Sequence, residues 1–227
     1  YSQGLFVSVE DKDFENDVVF FGIPLGVDVR SRPLTVGYTG NLKTSQLLAN
    51  LSLSYSQNLS GGSNNDDFTY AVSRAGADSD WEAVRLSADV SYTLKNQWRL
   101  YASVNAQDTQ DALISGEQFG LGGVYSVRGF EEREISGDRG WELRSEVWAP
   151  AFSNGLQLFG FVDTGKIQQT TPIPGLRERE SITSVGLGGE WNYKQLTTKL
   201  SWGHIMDDLS GRSDGDHKLH FNLFYRF

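Results

Sequence analysis

Apolar and polar residues alternate in steps of two along most of this chain. That spacing puts successive side chains on opposite faces of a β-strand. Ten stretches carry the pattern, at residues 1–10, 33–41, 46–58, 81–94, 98–108, 139–149, 155–164, 182–193, 196–204 and 217–227. It is plainest in 81–94, where Val84, Leu86, Ala88, Val90, Tyr92 and Leu94 share one face and Arg85, Ser87, Asp89, Ser91 and Thr93 the other. In the next stretch Trp98, Leu100, Ala102, Val104 and Ala106 oppose Arg99, Tyr101, Ser103, Asn105 and Gln107. In an earlier one Leu47, Ala49, Leu51, Leu53 and Tyr55 oppose Asn50, Ser52, Ser54 and Ser56.

The connections between these stretches are alternately long and short, with about 22, 4, 22, 3, 30, 5, 17, 2 and 12 residues, so one end of the sheet carries loops and the other tight turns. A soluble sandwich has no reason to sort its connections in this way, whereas a barrel inserted from the periplasm keeps its short turns on that side. The predicted fold class is all-β, a transmembrane antiparallel β-barrel, with residues 1–227 as one barrel domain. On the lipid face an arginine at the bilayer midplane costs about 2–4 kcal/mol, so the alternation is enforced, and a slip of one residue would reverse every side chain. Aromatics sit near strand ends, with Trp81, Trp141 and Trp202 on the loop side and Tyr92, Trp98, Trp191, Tyr193 and Tyr225 on the turn side. Their positions predict two interfacial girdles.

Composition narrows the function classes. Apolar residues make up 38% of the chain, and no run approaches the roughly 18 needed for a spanning helix. The negative mean hydropathy fits a barrel, because only the lipid side of each strand is apolar. There is no cysteine, so nothing depends on a disulfide or a thiolate. The net charge of −9, without a basic patch, argues against nucleic acid as a partner. Asp66, Asp67, Asp78 and Asp80, and again Asp207, Asp208, Asp214 and Asp216, fall in predicted loops. They read either as solvated loop acids or as a loop calcium site. The three histidines are His204, His217 and His220, with His220 on an inward face as a satisfied polar residue. No Gly-x-Ser-x-Gly, paired-histidine metal spacing or phosphate loop appears. Enzyme chemistry reduces to Asp207 and Asp208 beside His204 at the outer rim, and no catalytic residue, metal or cofactor is assigned. Residue 1 falls inside a strand with no initiator Met or signal peptide ahead of it, so the chain reads as a fragment.

The longest connection, 109–138, is unlike a solvated loop. It carries Gln118-Phe-Gly-Leu-Gly-Gly123, then Ser126-Val-Arg-Gly-Phe130, and leads into Ser136-Gly-Asp-Arg-Gly140. Phe119, Leu121, Val127 and Phe130 are poorly placed in water, so the loop is expected to fold back into the barrel. Here the chain closely resembles the two-partner secretion transporters of the bacterial outer membrane, relatives of the barrel-assembly insertase. Their loop signature stands as Val127, Arg128, Gly129 and Phe130, and their second signature as Phe161 and Asp163 after Gly160. Alternation separately turns Gln157, Phe159, Phe161 and Asp163 inward and Leu156, Leu158, Gly160 and Val162 toward lipid. Taken alone, Arg128 reads as an exposed loop arginine. The resemblance implies instead that it reaches down to Asp163. A planar guanidinium suits a carboxylate bidentately, and Phe161 offers its ring to the cation. Glu142, Glu146 and Glu190 also face inward and are reserve partners.

In the last strand Leu219, Phe221, Leu223, Tyr225 and Phe227 share a face, and the aromatic end resembles the assembly signal of outer-membrane proteins. Phe224 breaks the alternation and reads as a packing residue facing the lumen. The resemblance implies a sixteen-stranded barrel behind two periplasmic POTRA domains and a plug helix, of which this chain holds the last ten strands. It implies a monomeric protein-conducting pore in the outer-membrane lipid, assembled by the barrel-assembly machinery. That pore would secrete an unfolded exoprotein of haemolysin or adhesin type. The inward residues Arg85, Arg99, Arg144, Lys199, Lys218 and Arg226 nearly balance Asp89, Glu142, Glu146, Asp163 and Glu190, as suits a wet channel without strong ion preference. Two alternatives stand beside it. One is an insertase of the same superfamily; the other is a self-contained ten-stranded barrel acting as an enzyme or adhesin, which requires the first strand to pair with the last.

Overall fold

The computed structural model describes residues 1–16, 19–20, 23–24, 26–171, 175, 177–207 and 215–227. Ten strands form one antiparallel sheet in chain order: β1 (Ser2–Val9), β2 (Pro33–Lys43), β3 (Leu47–Asn58), β4 (Glu82–Thr93), β5 (Arg99–Asp108), β6 (Arg139–Trp148), β7 (Leu156–Gln168), β8 (Arg179–Tyr193), β9 (Leu196–Ile205) and β10 (His217–Tyr225). Every stretch of alternation is a strand. The pair β7–β8 runs beyond its predicted ends, to Gln168 and from Arg179. There the polarity inverts, with Thr164, Lys166 and Gln168 outward and Ile167 and Ile182 buried inward, so a pattern of apolar outward residues does not detect the extension. Among the described residues no helix is long and apolar enough to cross a membrane.

The outer face carries the predicted apolar set. Val90, Leu100, Leu158, Val162 and Leu187 are exposed there, together with Trp98, Trp141, Trp191 and Trp202 near the strand ends. Trp81 is a correction: it is fully buried and belongs to no girdle. It shares its parity with inward Arg85 and packs among Val29, Tyr70, Ala77, Ala83, Leu113 and Ile114 at the loop end of the sheet. Phe224 keeps the inward parity, between outward Leu223 and Tyr225, and on the open edge strand it is about half exposed. Among the described residues β1 pairs only with β2 and β10 only with β9, so both sheet edges are open. The sheet is therefore not the self-closed ten-stranded barrel of the second alternative.

The turn side closes tightly. Gly155 enters β7 with φ +83°, and a Cβ there would lie 2.2 Å from the Asn192 carbonyl oxygen, so the position requires glycine. The loop side is elaborate. The β3–β4 connection contains α1 (Asp67–Ser73), whose N-cap Asp66 accepts from the Thr69 amide at 3.1 Å. The β5–β6 connection makes its own short ladder, Phe119–Leu121 against Ile135–Gly137. The 59–80 connection gives no sign of a helix in its residue pattern, because about two turns of chain leave no sustained 3.6-residue period.

Candidate functional site, the loop arginine and its carboxylates

The site begins with why the 109–138 loop turns inward. Its short ladder forms a neck, and beyond it Gly122 (φ +109°) reverses the chain where a side chain would strike the Glu131 carbonyl oxygen at 2.3 Å. The tip then lies against the inner face of the sheet. Leu121, Val127 and Phe130 are fully buried with Ile135, and with Ile167 of β7, Ile182 of β8 and Ile205 of β9. Phe119 packs against the same cluster. This burial supplies the driving force that positions the residue between Val127 and Gly129.

Arg128 is 1% exposed. Its Nε donates to Asp163 Oδ2 at 2.6 Å and its Nη2 to Asp163 Oδ1 at 2.8 Å, a bidentate pair, while its backbone amide donates to the same Oδ2 at 3.2 Å. Nη1 lies 2.7 Å from Glu146 Oε1 on β6, an ion contact at an angle too poor for a hydrogen bond. The guanidinium carbon sits 3.6 Å from the Phe161 ring centroid. Burial opposes the charge on Arg128, but hydrogen bonding and attraction from Asp163, with the charge of Glu146, raise its pKa above the ordinary arginine value. It is a fixed cation.

Of the four carboxylates expected as partners, then, Asp163 and Glu146 meet Arg128 and Glu142 and Glu190 do not. Glu142 accepts from Ser126 Oγ of the loop and from Asn105 Nδ2 at 2.6 Å, and Glu190 accepts from Asn192 Nδ2 at 3.0 Å. The tip is held from other strands as well. Gly129 (φ +99°) donates its amide to His220 Nε2 of β10 at 3.0 Å. Arg144 Nη1 of β6 donates to the Tyr125 carbonyl oxygen at 3.1 Å. Gly160 presents no side chain on the outer face beside Leu187. Phe161 and Phe159 fold inward over Gly186 and Gly188 of β8, and Trp148 stacks on Phe159 at 4.3 Å. On the last strand Phe221, Leu223 and Tyr225 point outward and exposed, as does Phe227 beyond it.

Sequence reasoning misses a second buried ion pair at the base of the same loop. Asp138 is fully buried, and Arg74, just past α1, nearly so. Nη2 of Arg74 donates to Asp138 Oδ2 at 2.8 Å, and its Nη1 to Oδ1. The only signal is the Gly-Asp-Arg-Gly run, which gives no partner. Glu117 is missed too. It is buried and accepts from Lys12 Nζ at 3.0 Å, Ser31 Oγ at 3.0 Å and Arg85 Nη2 at 3.2 Å.

The other candidates are accounted for locally. Asp66 caps α1, and Asp67 accepts from the Ser79 amide at 3.1 Å and hydroxyl at 2.7 Å. Among the described residues no group of three or more acidic, histidine or cysteine side chains could hold a metal ion. His204 faces His217 across β9–β10 and lies 5.9 Å from the Trp202 ring, while Asp208 and Asp214 lie outside the described residues.

The CdiB structure of Escherichia coli matches 98% of this chain and 41% of its own, with a TM-score of 0.77 at 17% identity. CdiB of Acinetobacter baumannii matches 98% of this chain and 38% of its own, with a TM-score of 0.74 at 17% identity. BamA of Haemophilus ducreyi lacking POTRA domains 1–3 matches 87% of this chain and 44% of its own, with a TM-score of 0.62 at 14% identity. The fold is thus that of these antiparallel barrels. In sequence, the outer membrane transporter CdiB of Dickeya dadantii (strain 3937) is 36% identical over 86 residues, 36% of this chain and 15% of that protein. The transporter of the same name from Escherichia coli O6:K15:H31 is 39% identical over 74 residues, 32% of this chain and 11% of that protein. The chain therefore spans well under half the length of the solved CdiB chains, and its alignments cover about a seventh or less of the curated transporters. Residues 27–190, most of the chain and both motifs, match the model of the haemolysin secretion/activation proteins ShlB/FhaC/HecB, and the chain belongs to that family.

Proposed function

We propose that this chain is the lumen-forming part of a protein-conducting pore that secretes a partner exoprotein of haemolysin or adhesin type. Its setting is the bacterial outer membrane. The ten strands are read as one portion of a larger barrel, with further strands joining the open edges of β1 and β10 and periplasmic POTRA domains before them. The observation that carries the reading is the inward-folded loop, its Arg128 pinned on Asp163 and Glu146 inside the sheet. A structural arginine for the sheet would sit on a strand; this one belongs to a connection and holds it across a passage. The work proposed for these residues is positional. Family membership and the higher TM-score to CdiB than to BamA favour secretion over barrel insertion.

The test is Arg128→Ala in the intact transporter. Removing Arg128 leaves the buried Asp163 carboxylate without its cation, while Glu146 keeps Arg144 at 3.7 Å and Lys199 at 4.0 Å; breaking a buried pair in this way costs about 3–5 kcal/mol. That is enough to release the loop, while the strand ladders remain. Export of the partner should be abolished or sharply reduced, with heat-modifiable barrel still present in the membrane. Arg128→Lys should retain part of the activity, since it keeps the charge and loses the bidentate fork. Undiminished export by Arg128→Ala would refute the role.

A further inference from the structure

Arg128 ties the tip of the long loop to the sheet, but the base of that loop is tied elsewhere, by residues with no part in the first pair. Asp138 takes four donors besides Arg74: the Leu113 amide at 2.9 Å, Gln118 Nε2 at 3.3 Å, the Thr170 amide at 2.8 Å and the Thr170 hydroxyl at 2.7 Å. Burial raises the pKa of Asp138, but the hydrogen bonds from Arg74, Leu113 and Thr170 together lower it below the ordinary aspartate value. Arg74 in turn donates to the Leu113 carbonyl oxygen and to Gln169 Oε1 at 2.8 Å. One carboxylate thus joins three connections: β3–β4 through Arg74, β5–β6 through Leu113 and Gln118, and β7–β8 through Thr170, while Gln169 is tied to Arg74. Beside it the first two of these connections share a dry core, with Tyr70 and Ala77 from the helix-bearing loop against Ala112, Leu113 and Ile114. Ala77 and Ala112 even form an isolated parallel bridge. Loops that merely connect strands have no need of a buried ion pair shared three ways.

We infer that Arg74 and Asp138 form a second latch, which clamps the loop-side mouth shut by binding three connections together, independently of Arg128 and Asp163. Passage of a chain then requires both ends of the 109–138 loop to let go, and Arg74 acts as a positioning residue in gating.

The test is Ala77→Cys with Ala112→Cys in the intact transporter, with any cysteine outside residues 1–227 replaced by serine, since these 227 residues have none. Bridged residues lie about 4.8 Å apart, within the Cα separation a disulfide accepts, and both substitutions add little volume. With the bond formed, single-channel openings in a planar bilayer should become rare and export should stop; reduction should restore both. Asp138→Asn without the crosslink should open severalfold more often than the parent while inserting normally. Identical gating in the oxidised and reduced protein, or a parental opening frequency in Asp138→Asn, would overturn the latch. The inference rests on the pore reading, so conductance and export are scored separately. Gating that follows the crosslink in a protein that exports nothing would support the latch and tell against secretion.

Discussion

Gly203 on β9 shows how closely the loop tip approaches the sheet. A Cβ there would lie 2.9 Å from the Gly129 amide nitrogen and 3.0 Å from the Arg128 carbonyl carbon, and both obstacles are backbone that cannot swing aside. Gly203→Ala should therefore lift the tip, at the roughly 1–3 kcal/mol that overpacking costs, with every charged group of the site intact. Limited proteolysis of the 109–138 loop measures it: cleavage should quicken, and export should fall in parallel. Protection equal to the parent's would mean that the contact is softer than the backbone positions imply. Arg128 and Asp163 are legible in the sequence because two independent cues converge on them, a motif in the loop and the inward parity of residue 163. Gly203 carries no such cue, since its importance lies in a loop backbone distant along the chain. Arg74 is equally silent, because an arginine after a helix turn looks the same whether it meets water or a buried carboxylate.

At the level of elements, the alternation is a statement about solvent. Val90 on β4 is exposed on the outer face between Tyr92 and Ala88, where hydrocarbon is the medium of the folded barrel. Val90→Arg should destabilise the barrel by about 2–4 kcal/mol, read from urea unfolding in lipid vesicles. Lys166, outward on the extension of β7 beyond the apolar band, should tolerate Leu with little change. Equal effects at the two positions would mean that the outer face does not meet lipid. The same solvent logic explains which elements the sequence reveals. Strands inside the band follow the rule of apolar outward and are all visible, whereas the ends of β7 and β8 stand above it with apolar residues inward and vanish from the pattern. Trp81 misleads because its position at a strand end suggests a girdle while its parity points inward, and the parity decides. Helix α1 and the Phe119–Leu121 ladder are too short to impose a period, and they exist because of the cores they cover.

For the whole molecule the decisive fact is that the sheet is open. Along β1 and β10 about half of the backbone amides and carbonyls face away from their one partner strand, and in hydrocarbon each unpaired group costs several kcal/mol. Summed over two edges, that exceeds what a latch of two ion pairs returns, so the loops can fold the mouth but cannot close the wall. The consequence is testable with residues 1–227 expressed alone and refolded in detergent. No compact monomer with heat-modifiable mobility should form; edge-to-edge dimers or aggregates should appear instead, because exposed strand edges template pairing. The full transporter under the same conditions should refold to a monomer. If the isolated chain gave a stable, protease-resistant monomer, β1 would have to pair with β10 after all. The lumen would then be too narrow to hold the long loop and pass a polypeptide together, and the pore reading would fail on size alone.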